Sequence, residues 1–283
     1  MAAVSGLTQV SEAGAVTRRA RSILQGLLKR HCTDLTPEEL AANAIIFAPH
    51  PDDETLGCGG TIVRKLKHGA VITVVYMTDG SASHARLMPA DELARLRQTE
   101  AQAAANTLGL DPEQLHFLNI PDGHLREHLA EIQPQLQKLL DAARPEQIFV
   151  PYRHEGQDDH LATRAAALNA LSKSGRPTAV YEYPVWFWNH WPWMRQTGHA
   201  LVDRPGNFIR SLHGWQVLLS DFNRCSGIHA ELAIKTAALD CHRSQMTRLN
   251  GSSEWLTLRD VAGGDFLARL LTDQELFCRW ASD

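Results

Sequence analysis

Ala44-Ile45-Ile46-Phe47-Ala48-Pro49-His50-Pro51-Asp52-Asp53-Glu54 joins a β-branched apolar run to a histidine, two adjacent aspartates and a glutamate. An uninterrupted apolar run ended by proline predicts a short buried strand. Gly57, Gly59 and Gly60 then break the pattern before Ile62-Val63-Arg64-Lys65-Leu66 resumes with helical spacing. The polar cluster is therefore expected at a strand-to-helix turn. Pro49 and Pro51 fix their own φ and bias Ala48 and His50 toward extended backbone, which lowers the entropy lost when the turn is held in one geometry. In open α/β sheets, ligands gather at the carboxyl ends of strands, where this turn is expected.

Imidazole and carboxylate together suit a hard or borderline divalent cation, and a catalytic zinc takes about three such protein ligands plus a water. His50 and one aspartate would supply two ligands, leaving the second aspartate beside the metal-bound water as a base. The residues alone do not say which aspartate does which. Glu54 reads as a helix-start carboxylate favoured by the positive end of the helix dipole.

Working outward, Thr36-Pro37-Glu38-Glu39 has the form of a capping box with proline at the first helical position. Val71 to Met77 reads as a strong strand and Leu93 to Leu108 as an alanine-rich helix stopped by Gly109. Strands are expected at Leu115–Leu118, Gln147–Val150 and Ala179–Tyr183, with helices from about Leu129 to Ala143 and from His160 to Leu171. This alternation predicts an α/β fold: a Rossmann-like, mostly parallel sheet with helices on both faces. One domain is expected over residues 1–283, with an N-terminal helical extension (1–43), an α/β core (44–185) and a C-terminal elaboration (186–283). In the extension, Val16, Ala20, Ile23, Leu24, Leu27 and Leu28 trace an amphipathic helix. The run Trp186-Phe187-Trp188-Asn189-His190-Trp191-Pro192-Trp193 suits a core edge or oligomer contact ahead of a sugar-stacking wall.

Composition narrows the function classes. The chain has 283 residues, a hydrophobic fraction of 44%, a charged fraction of 21% and a net charge of −4, an ordinary ordered balance without the basic footprint of a nucleic-acid binder. Its five cysteines, Cys32, Cys58, Cys225, Cys241 and Cys278, are odd in number and form no C-x-x-C pair, which fits reduced thiols in a cytoplasmic protein. No apolar stretch of the first thirty residues has signal-peptide or membrane-spanning length, so stable membrane insertion is not expected. Gly57-Cys58-Gly59-Gly60-Thr61-Ile62 lacks the last glycine of a dinucleotide fingerprint, and the preceding acids would repel a pyrophosphate.

A third metal ligand must come from elsewhere, and His160 is the best candidate. It ends Pro151-Tyr152-Arg153-His154-Glu155-Gly156-Gln157-Asp158-Asp159-His160, which follows another predicted strand and opens a helix. The acids of this segment, Asp159 among them, suit the orienting of an imidazole.

Pro49-His50-Pro51-Asp52-Asp53-Glu54 paired with Asp159-His160 resembles the PIG-L deacetylases, also called LmbE-like proteins. Thr78-Asp79-Gly80, Arg97 with Glu100, Pro121-Asp122-Gly123, and Lys235 with His242-Arg243-Ser244-Gln245 extend the resemblance from about Ala44 to Gln245. It implies zinc held by His50, Asp53 and His160, with iron, cobalt and manganese also suited to these donors. It further implies Asp52 as general base on the metal-bound water and an N-acetylglucosamine-type amine or glycoconjugate as substrate. The family's second motif commonly carries a histidine where this chain has Gln157. Glutamine can donate a hydrogen bond to an oxyanion but supplies no proton, so His154 enters as a substitute acid. Asp79 and Asp122 are candidates for binding substrate hydroxyls, and Trp186 for stacking on a sugar ring. Other readings are a relative acting on a non-sugar amide or catalysing a hydration, and a metal- and sugar-binding protein without turnover. A homo-oligomer is compatible with all of them.

Overall fold

The computed structural model describes residues 23, 26–28, 30–190, 216–217, 219–249 and 251–281. Its centre is an eight-stranded sheet: β1 (Thr33–Asp34), β2 (Ala44–Ala48), β3 (Ile72–Thr78), β4 (Leu115–Ile120), β5 (Gln147–Pro151), β6 (Ala179–Tyr183), β7 (Arg224–Gly227) and β8 (Gln274–Ala281). The helices are α1 (Pro37–Ala41), α2 (Asp53–Lys67), α3 (Ala90–Leu108), α4 (Leu129–Ala143), α5 (Asp158–Ser174), α6 (Leu232–Cys241), α7 (Arg243–Met246) and α8 (Asp265–Leu270). The strand order is β1-β7-β8-β6-β5-β2-β3-β4, with β2 to β6 mutually parallel. The chain leaves β2 for β3 and β4 on one side, then returns to β5 and β6 on the other. The carboxyl ends of β2 and β5 therefore flank a topological switch point, where such sheets open a crevice. Every residue of β2 and of β5 is buried, as expected for central parallel strands covered on both faces.

The expected core elements are present, with boundaries shifted by a few residues, and the capping box at Thr36 forms with Glu39. Two features differ from the sequence reading. The three glycines do not interrupt the helix: α2 starts at Asp53 and runs through them. Their role is to admit neighbours. A Cβ at Gly57 would lie inside the Tyr183 ring, and one at Gly60 would come within 2.6 Å of the Ile228 side chain. Gly57→Ala is therefore expected to cost about 1–3 kcal/mol through overpacking. Gly156→Ala, where nothing lies within 4 Å, serves as the control. Equal thermal melting of the two variants would show that Tyr183 yields freely.

The second difference is that the C-terminal segment is part of the sheet. β8 pairs antiparallel with β6 and with β7, and β1 pairs parallel with β7. Glu275 on β8 accepts from the Gly60 backbone at 2.9 Å and from Lys235 Nζ at 2.7 Å, while Lys235 also donates to the Leu56 carbonyl at 2.8 Å. This buried pair locks α2 against the C-terminal half. In the N-terminal extension Leu28 is buried while Ile23 and Leu27 are exposed; Val16, Ala20 and Leu24 lie outside the described residues.

Candidate active site

The turn after β2 carries the densest chemistry. Asp53 opens α2, and its Oδ2 accepts from the His50 backbone N–H at 3.0 Å, so a local bond closes the turn. The same oxygen lies 3.2 Å from His50 Nδ1 and 3.3 Å from His160 Nε2. His160 arrives on the first turn of α5, after β5, and so both sides of the switch point contribute. His50, Asp53 and His160 bring one potential ligand atom each within 4.8 Å of one another.

The donor set fits a divalent cation. His160 is fully buried, yet neither ring nitrogen has a hydrogen-bond partner. Buried polar atoms are normally satisfied, and an orphan costs about 1–3 kcal/mol, so an imidazole left this way beside a carboxylate is poised for a ligand. Behind it, Glu155 Oε2 stands 3.5 Å from His160 Nδ1, an ion-pair distance without hydrogen-bond geometry. Asp122 Oδ1 and Asp159 Oδ2 lie 3.1 and 3.4 Å from His50 Nε2. Each imidazole thus turns one nitrogen toward Asp53 and the other toward an acid, the arrangement by which carboxylates orient metal-binding histidines.

Electrostatics follow this geometry. Burial opposes charge on His50, but the Asp122, Asp159 and Asp53 carboxylates raise it well above the ordinary imidazole value. Burial would raise Asp53, whereas His160 and then His50 hold it well below the usual carboxylate range. Asp52 behaves oppositely: burial pushes it up to about 6, against the pull of Arg97. Adjacent aspartates whose environments drive them apart can take separate roles.

Asp52 sits at φ 142°, a strained conformation for a residue with a Cβ. Arg97 of α3 reaches its Oδ2 at 3.2 Å and donates to the carbonyls of Pro51 at 2.6 Å and Gly80 at 2.9 Å. A Cβ at Gly80, itself at positive φ, would collide with this guanidinium.

These residues open onto a cavity of about 960 Å³ lined by His50, Asp52, Asp53, Asp122, Gln157 and Trp186, among others. Gln157 occupies the N-cap position of α5 without a side-chain capping bond and lines the cavity. Trp186 stacks on Phe266 with ring centroids 4.7 Å apart, while Phe187 and Trp188 enter the core; Trp191 and Trp193 lie outside the described residues. Four candidates are not part of the cavity lining: His160 and Asp159, which meet Asp53 and His50, and Asp79 and His154. Asp79 Oδ1 accepts from the backbones of Ser81 and Asp122, so it shapes the turn that carries Asp122. His154 is exposed, edge-on against Tyr152, in place of the cavity position expected of an acid. Asp159, expected to orient an imidazole, faces His50 and also accepts from the backbones of Gly123 and Leu125.

Sequence reading did not single out Glu155, although it is buried and accepts from the backbones of Val185, Trp186 and Phe187. It also left the far wall unassigned, where loop 82–87 meets Gln245 and segment 254–258. His84 closes that wall by stacking on Trp255 and bonding the Leu256 carbonyl at 2.7 Å.

A family model described as PIG-L, GlcNAc-PI de-N-acetylase, matches residues 45–171, the span holding both loops. A 1D-myo-inositol 2-acetamido-2-deoxy-alpha-D-glucopyranoside deacetylase of Mycobacterium sp. (strain KMS) is 30% identical over 177 residues, covering 53% of this chain and 55% of that protein. The chain thus spans about half the length of this curated relative. Among solved structures, the N,N'-diacetylchitobiose deacetylase of Pyrococcus horikoshii aligns with a TM-score of 0.61 and 20% identity over 95% of this chain and 94% of that one. A 4-carboxy-2-hydroxymuconate hydratase aligns with a TM-score of 0.58 and 15% identity over 86% and 96%. At these identities the solved structures establish the fold alone. The family match spans the two loops that meet at the switch point, so residues 45–171 of this chain are similar to the PIG-L family.

Proposed function

We propose that this chain is a metal-dependent hydrolase that removes the N-acetyl group from an N-acetylglucosamine-type amino sugar or glycoconjugate. One observation carries the reading: Asp53 joins the two imidazoles while Asp52, its neighbour, faces the same cavity outside that ligand cluster. His50, Asp53 and His160 would hold the cation, zinc first among those that such donors suit. Bound there, it supplies Lewis-acid polarisation of the amide carbonyl and acidifies water.

The chain's own groups divide the remaining work. Asp52 takes the proton of the attacking water, one carboxylate oxygen being steadied by Arg97. The same carboxyl then returns that proton to the leaving amine, since His154 is not part of the cavity lining. Gln157 donates its side-chain N–H to the developing oxyanion. Asp122 and Asp159 fix His50, and Trp186 offers an aromatic face for the apolar side of a sugar ring. Five free cysteines fit a reducing, cytoplasmic setting.

A hydration is the second reading. Gln157 favours it, because adding water to a double bond expels no amine. Acetate release separates the two. Metal-loaded protein is expected to liberate acetate from N-acetylglucosamine, N,N'-diacetylchitobiose or an N-acetylglucosaminyl inositol, and chelated protein from none. No acetate from any of them with metal bound would sink the deacetylase reading.

A further inference from the structure

We propose that Glu54 is the positioning residue that holds Asp52 in its inverted backbone conformation, so that the base and the metal-binding Asp53 share one cavity. This rests on the reading of Asp52 as base. The problem it solves is geometric. Successive residues at a helix start project in different directions, and neighbours in sequence do not face each other. Yet Asp52 and Asp53 both line the cavity. The φ of 142° at Asp52 is what turns its side chain alongside that of Asp53. Such a conformation is unfavourable for a residue with a Cβ and persists only where surrounding structure over-determines it.

Glu54 supplies the backbone half of that determination. Its Oε2 accepts from the Asp52 backbone N–H at 3.1 Å, and its Oε1 accepts from Thr55 Oγ1 at 2.6 Å. The carboxylate is fully buried, and His242 Nε2 approaches Oε1 to 3.6 Å from behind. Glu54 is therefore fixed before it fixes Asp52. Arg97 grips the other half, the Asp52 carboxylate and the Pro51 carbonyl. The metal ligands have a separate tether, the bond from the His50 backbone to Asp53 Oδ2. Losing the Glu54 bond should therefore release the base and spare the ligand set.

The deciding property is an acceptor at Oε2, and glutamine and methionine separate it from bulk. Both keep the length of the side chain, but only glutamine offers an oxygen acceptor to the Asp52 N–H, the methionine sulfur being a weak acceptor. With the holoprotein, Glu54→Met is expected to lower kcat about 10- to 100-fold, with metal content unchanged and KM within about twofold. Glu54→Gln should recover most of that loss. Crystal structures supply a readout independent of turnover: residue 52 should leave positive φ in E54M and keep it in E54Q. A metal-loaded E54M with undiminished kcat overturns the proposal. Loss of metal together with activity overturns it equally, because Glu54 would then support the ligands. Should E54M fail to fold, E54Q decides: retained kcat with positive φ supports the clamp, and lost kcat with φ unchanged sinks it. If the wild-type protein releases no acetate, the deacetylase reading has failed, and the φ of residue 52 in E54M still tests the clamp.

Discussion

Asp52→Asn is expected to leave the metal in place and to lower kcat by about 10²- to 10⁴-fold, the range that a positioned general base contributes. Asparagine keeps the shape of the side chain and its carbonyl oxygen, so Arg97 retains an acceptor there as well as at the Pro51 and Gly80 carbonyls. What disappears is the basicity. The ligand cluster should be indifferent, because its shared oxygen is Asp53 Oδ2 and both imidazoles approach that atom. The contrast with Asp53→Asn makes the test sharp. There a negative charge held between two imidazoles is removed, and metal and turnover should go together. Elemental analysis beside acetate release reads both variants. If D52N protein loses its metal while D53N protein keeps it, the two aspartates have been assigned in reverse.

The adjacent aspartates also mark how far the sequence could be read. The strand, the turn and the acids within it were legible because their signals are local: an apolar run, two prolines and clustered ligand types. Which acid binds and which reacts came from resemblance to a family, since spacing cannot reveal a positive φ at a non-glycine residue. Glu155 was overlooked because its partners are the backbone groups of residues 185–187, about thirty positions away. The glycines of α2 read as breakers because the ring and side chains that require them, Tyr183, Lys235 and Ile228, come from later strands and helices. The strand at Gln274–Ala281 was missed for the same reason. Its partner β6 lies about a hundred residues earlier, and pairing at that distance leaves little local trace. Asp122, a candidate for binding substrate hydroxyls, lines the cavity, and its carboxylate also lies beside His50, a contact with no local trace in the sequence.

His160→Ala should remove tight metal binding and nearly all activity, whereas Glu155→Gln should weaken metal affinity only about 10- to 100-fold. The two differ because His160 offers its Nε2 to the cluster while Glu155 stands beside the ring's other nitrogen, Nδ1. Glutamine at 155 keeps one acceptor oxygen, enough for the bonds that Oε1 takes from the Val185 and Phe187 backbones, so most of the turn that presents Trp186 should persist. Thermal melting gives a readout that needs no substrate. A ligand at 100 times its dissociation constant stabilises the folded state by about 2.7 kcal/mol. Wild-type protein should therefore lose Tm when chelated, and E155Q should lose less at the same free metal concentration. H160A should melt at one temperature with or without chelator. If H160A instead keeps a metal-dependent Tm, the ion rests elsewhere, and the neighbouring set of His50, Asp122 and Asp159 is where the described residues could hold it.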